Sequence, residues 1–214
     1  MFPDAPYIHI GGDEAQHALW DNCAACRAYM ESHGITSTKE LYGEYMGRVA
    51  AYVLSLGKTP MVWEGFPKFT NRYIPKETVV IAWESHYHLA HDLLEEGFRV
   101  INSSWQPLYI VDNLDLHWGP KELLAWNTYN WQHWWPESYA CKNPIQLEPT
   151  DQVLGAQLSI WECTYEREIS AAMHNATTLS ERLWASGQKW DDFAAYHQRH
   201  GAMISRIARL IAEV

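Results

Sequence analysis

The chain predicts an α/β fold built on a parallel sheet, and three observations carry that prediction. The apolar runs "YIHI", "MVW", "VVIAW" and "RVI" are continuous rather than alternating, as in strands covered on both faces. Segments of helical periodicity lie between them. Successive runs also end in acids or tryptophan: Asp13-Glu14, Trp63-Glu64, Trp83-Glu84, then Trp105, then Trp161-Glu162. Polar and aromatic side chains gathered at the C-terminal ends of parallel strands form the site of a (β/α)8 barrel. No phosphate-binding glycine loop of either standard spacing is present, which argues against a nucleotide-binding doubly wound sheet.

Each element has its own local reason. Pro6 to Ile10 is a β-branched strand ended by Gly11-Gly12. Residues 14 to 33 read as a helix, with Ala18, Leu19, Cys23, Cys26 and Met30 on one stripe and Gly34 as stop. Ser37 or Thr38 caps a second helix to Ser55, with Leu41, Tyr45, Val49 and Val53 at helical spacing. Strands follow at Pro60 to Trp63, Thr78 to Trp83 and Arg99 to Ser103, with a short helix from His88 to Glu96. Residues 104 to 151 read as irregular and aromatic-rich, with a short helix near Lys121 to Ala125. Val153 to Trp161 is a fifth strand, and helices at 166–186 and 189–213 close a single domain spanning 1–214.

A net charge of −10 argues against nucleic-acid or anionic-membrane partners. No 18-residue apolar run exists, so no membrane span is expected. The N-terminus lacks a basic region followed by an apolar core, so no signal peptide is read there. A cytoplasmic chain and part of a longer secreted product both stay open.

Twelve tryptophans and twelve tyrosines suit either a large aromatic core or a carbohydrate site. Flat aromatic faces stack on the C–H faces of sugars, and tryptophan delivered to one rim by several strands favours the second reading. Cys23-Ala-Ala-Cys26 is a CxxC without a second close pair, placed inside a helical pattern. Structural thiols, a disulfide and a metal site all remain open for it. Asn102-Ser-Ser and Asn175-Ala-Thr fit the glycosylation pattern.

His9-Ile-Gly-Gly-Asp-Glu14 resembles the HxGGDE signature of family 20 glycoside hydrolases, the β-N-acetylhexosaminidases. The likeness continues through Trp63, Trp83, "NSSWQPLYIVD" (102–112), "GAQLSIWE" (155–162) and "SERLW" (180–184). It implies retaining hydrolysis of terminal β-linked GlcNAc or GalNAc without a protein nucleophile. The 2-acetamido oxygen attacks the anomeric carbon to give an oxazolinium ion. Carried over, Glu14 is the general acid/base, and Asp13 binds and orients the acetamide N–H. Trp63, Trp83, Trp105, Trp126 and Trp161 are candidate substrate-binding aromatics, and Tyr109 resembles the acetamide-binding tyrosine. Asp112 and Glu162 are candidates for sugar hydroxyls, and His9 braces the strand. No metal or organic cofactor is implied.

Two spacings depart from the family. Tyr109-Ile-Val-Asp112 is one residue longer than Tyr-x-Asp, and Trp161-Glu162 is one shorter than Trp-x-Glu. The signature normally closes barrel strand four, so the resemblance makes this chain a partial TIM barrel holding strands four to eight. An open sheet of that kind exposes two edges. A homodimer or a complementing N-terminal chain is the expected partner, beside an N-acetylhexosamine-containing glycan. Two other functions stay open: a non-catalytic sugar-binding or scaffold remnant, and a two-carboxylate glycosidase using Glu64, Glu84 or Glu162.

Overall fold

The computed structural model describes residues 3–112, 118–184 and 193–212. The strands are β1 (Tyr7–His9), β2 (Thr59–Trp63), β3 (Val79–Ala82), β4 (Arg99–Asn102), β5 (Tyr109–Val111), β6 (Asn130–Trp131), β7 (Ile145–Gln146), β8 (Val153–Ala156) and β9 (Ser159–Trp161). The helices are α1 (Ala24–His33), α2 (Thr38–Ser55), α3 (Ala90–Glu95), the single kinked turn α4 (Trp105–Leu108), α5 (Pro120–Ala125), α6 (Tyr139–Lys142), α7 (Tyr165–Ala171), α8 (Thr177–Trp184) and α9 (Phe193–Ala212). A π-helical turn, Ala172–Ala176, joins α7 to α8.

Five strands form one parallel sheet in the order β1-β2-β3-β4-β8. This is the partial-barrel α/β architecture that the strand pattern and the resemblance pointed to. Every residue of β3 is buried, which is why that strand reads as an unbroken apolar run. In β2 burial alternates: Val62 enters the core beneath α2, and Trp63 faces the other way. The core joins Tyr42 and Met46 of α2 to Val62, Val80, Val100, Phe66, Phe98 and Trp131. Trp131 is fully buried and its indole N–H donates to the Ala82 carbonyl at 3.0 Å. Truncating such an aromatic to alanine costs about 3–5 kcal/mol.

Four expectations change. The predicted strand 153–161 is two strands: β8 stays in the main sheet, while β9 pairs in parallel with β5 as a separate ribbon. The predicted helix 14–33 begins as a 3-10 turn at His17–Asn22, and α1 starts only after Cys23, whose backbone is extended. The aromatic segment 104–151 holds β5, β6 and β7, with β6 and β7 as an antiparallel pair. Both glycosylation-pattern asparagines are buried, and Asn102 donates to the carbonyls of Thr128 and Asn130. Of the closing helices, positions 185–186, 189–192 and 213 lie outside the described residues. No helix among the described residues is long and apolar enough to cross a membrane.

Candidate active site

The site begins where β1 stops. Gly11 and Gly12 have φ of +75° and +102°, a region side chains rarely enter. The Gly11 N–H donates to His9 Nδ1 at 3.0 Å, and Trp63 N–H donates to the Gly11 carbonyl at 2.9 Å. A Cβ on Gly12 would strike Val62, and one on Gly65 would strike the Gly12 carbonyl and lie 3.0 Å from Asp13 Cα. A glycine just past each strand therefore lets the β1 and β2 ends touch. The chain turns over that contact and presents Asp13 and Glu14, both exposed, at the rim.

The next strands supply the walls. Trp63 and Trp83 meet edge to face, centroids 6.1 Å apart, and Trp83 Nε1 donates to the Glu64 carbonyl at 2.7 Å. Tyr109 lies between Trp83 and Trp105, stacked at 6.0 and 4.3 Å. Trp105 in turn meets Trp134 edge-on at 5.7 Å. The result is a continuous aromatic wall. Burial drives the Tyr109 hydroxyl pKa well above its ordinary value, against the pull of bonds to Ser159, Ser103 and Trp161. Its hydroxyl is therefore a neutral donor at any physiological pH.

These groups enclose a cavity of about 460 Å³ lined by Asp13, Glu14, Trp63, Trp83, Trp105, Tyr109, Val111, Trp134, Trp161 and Glu162. Glu162 reaches it for a reason strand alternation hides. Neighbouring strand residues face opposite ways, but Glu162 leaves β9 with φ +55°, so it joins Trp161 at the same cavity. Two predicted residues are not brought there. Trp126 packs with Leu108, Leu123 and Leu179 in a second core. Asp112 pairs with Arg167 at 3.3 Å and accepts from the Thr164 N–H.

Sequence reasoning missed Trp134 and Val111. Val111 was readable, being two residues from Tyr109 on the same strand face. Trp134 had only aromatic composition as its signal, because it sits outside any strand. Glu64 and Glu84, weighed as second carboxylates, lie behind the wall. Glu64 is fully buried, and its oxygens accept from six successive backbone N–H groups, Trp83 to His88, at 2.9–3.3 Å. Burial pushes the Glu64 pKa up, opposed by those N–H groups. Glu84 is pushed up to about 8, by burial first and then by the Glu64 and Glu14 charges. His133 Nε2 stands 3.6 Å from Glu84, and burial holds His133 near pKa 4, so it is neutral. Among the described residues, no group of three or more His, Cys, Asp or Glu is arranged to hold a metal ion.

The model of the glycosyl hydrolase family 20 catalytic domain matches residues 1–187. A beta-hexosaminidase of Vibrio furnissii is 28% identical over 75% of this chain and 26% of that protein. A chitooligosaccharidolytic beta-N-acetylglucosaminidase of Ostrinia furnacalis is 27% identical over 94% of this chain and 36% of that protein. The chain thus spans about a quarter to a third of the length of the curated relatives it matches. Among solved structures, a beta-N-acetylhexosaminidase from Bacteroides fragilis aligns with TM-score 0.70 at 18% identity, over 96% of this chain and 41% of that one. An exo beta-N-acetylglucosaminidase from Vibrio harveyi aligns with TM-score 0.67 at 23% identity, over 94% and 32%. With sheet, strand-end acids and family model in agreement along most of its length, the chain belongs to glycosyl hydrolase family 20.

Proposed function

We propose that this site hydrolyses terminal β-linked N-acetylhexosamine by substrate-assisted, retaining chemistry. The observation that carries the reading is the Asp13-Glu14 pair at a cavity walled by five tryptophans and a tyrosine. A pyranose ring stacks against such a wall, and the volume suits one sugar with its acetamido arm. Glu14 protonates the leaving oxygen while the acetamido oxygen attacks the anomeric carbon. It then takes a proton from the water that opens the oxazolinium ion. Asp13 accepts the acetamide N–H and Tyr109 donates to the acetamide oxygen. Trp63, Trp83, Trp105 and Trp161 hold the ring and the methyl group. Glu162 binds sugar hydroxyls, with Asp112 near it at the β5 end, and no cofactor takes part.

A second reading, a sugar-binding remnant, is favoured by the sheet edges: β1 and β8 each pair on one side only among the described residues. A homodimer or a complementing chain supplies cover for those edges in the catalytic reading.

The test is release of an aryl group from an aryl β-N-acetylglucosaminide by the purified chain, by Glu14→Gln, and from the plain aryl β-glucoside. Release from the acetamido substrate alone, falling by about 10²-fold or more in the variant, is expected. Equal release from both substrates overturns the substrate-assisted route. Sugar binding without release, unchanged in Glu14→Gln, selects the remnant.

A further inference from the structure

The Cys23–Cys26 pair lies outside the cavity, and the fold gives it a setting that periodicity concealed. The pair does not sit inside a helix: it opens one. Cys23 is the N-cap of α1, and its sulfur accepts the Cys26 backbone N–H at 3.4 Å. The Cys26 thiol donates a hydrogen bond to the same sulfur. Both cysteines are free and half-buried. A three-residue step across the first helical turn sets Cβ atoms about 5–6 Å apart, and a small closure of that gap meets disulfide geometry. Cys26 also lines a cleft of about 290 Å³ with Trp20, Tyr29, Leu41, Tyr45 and Arg48, open to a small reactant. The other two cysteines differ: the Cys141 and Cys163 thiols donate to the carbonyls of Trp134 and Trp161.

We propose that Cys23 and Cys26 form a redox-active dithiol that closes to a reversible disulfide by exchange with a low-molecular-weight disulfide. Cys23 is the attacking sulfur. The hydrogen bond from the Cys26 thiol holds Cys23 below the usual thiol range, helped by the Cys26 and Ala25 N–H groups and Arg27. That same bond, with burial and the Cys23 charge, pushes Cys26 up. The Cys23 thiolate attacks one sulfur of the oxidant, forms a mixed disulfide and releases one thiol. Cys26 then loses its proton, attacks the Cys23 sulfur and releases the second thiol. The protein gives up two protons and two electrons, and the oxidant becomes two thiols.

The experiment exposes the purified chain to oxidised glutathione, alkylates it and maps tryptic peptides. Residues 1–27 form one tryptic peptide holding only Cys23 and Cys26. Expected is a peptide two hydrogens lighter and closed to alkylation, restored by dithiothreitol. Cys26→Ser should retain glutathione on Cys23. Cys23→Ser keeps a good helix cap and should lose the reaction. Cys23 should also alkylate several-fold faster than Cys26 at neutral pH. Full alkylation of both thiols after oxidant, or glutathione found only on Cys141 or Cys163, overturns the proposal.

Discussion

Each oxygen of Glu64 accepts from three backbone N–H groups of the 83–88 turn. The carboxylate is the core of that turn and positions Trp83 above it. Glu64→Gln places an amide N–H₂ against three N–H donors, so we expect a loss of about 3–5 kcal/mol in urea unfolding. Glu84 faces Glu64, Glu14, Trp105 and neutral His133. Its folded pKa of about 8 lies above the ordinary 4.5, so its contribution to stability is full below pH 4.5 and lost as pH rises through 8. The melting temperature of Glu84→Gln relative to the parent should therefore climb between those pH values and level off above them. A constant difference refutes the assignment. From the sequence, Glu64, Glu84 and Glu162 looked alike, each following a tryptophan at a strand end. Only backbone conformation separates them: Glu162 turns outward at positive φ, while Glu64 turns inward to a ring of amides.

At the scale of elements, the strands were legible because continuous apolar runs mark two-sided burial, and β1 to β4 fall where those runs do. The β8–β9 division was not, since a strand that changes partner keeps one hydrophobic pattern throughout. The helix start at Cys23 was hidden for a like reason: a 3-10 turn carries nearly helical spacing. Gly65 lies in the loop just after β2 and lets that strand end meet the Gly12–Asp13 turn. Gly65→Ala should leave the fold intact and shift Asp13 and Glu14. A displacement near 1 Å costs about 10²-fold in rate, and we expect that loss in aryl N-acetylglucosaminide hydrolysis, together with a melting temperature lowered by the clash with the Gly12 backbone.

For the whole molecule, β1 and β8 end the sheet with unpaired strand edges among the described residues. Near β8, Leu154 is 43% exposed and Trp184 91%. Open edges beside apolar side chains invite pairing. Light scattering should return about twice the 24.8 kDa chain mass. A monomer mass removes the homodimer and leaves the complementing chain as the cover. The candidate site as a set was readable, because nine of its ten cavity-lining residues, all but Trp134, come from strand ends or from the family-like segment. What the sequence withheld was depth: which carboxylates stand in front of the tryptophans and which stand behind.

The division of the last strand has a mechanical meaning. Asp13, Glu14, Trp63 and Trp83 ride on the main sheet, whereas Tyr109, Val111, Trp161 and Glu162 ride on the β5–β9 ribbon. The cavity is the gap of a calliper whose two jaws are joined by residues 103–108 and 157–158. A ribbon of two three-residue strands is marginal alone, so aromatic stacking on Tyr109 sets the gap at rest. A molecule of the right width pins both jaws together, and its fit registers as a rise in melting temperature that grows with its concentration.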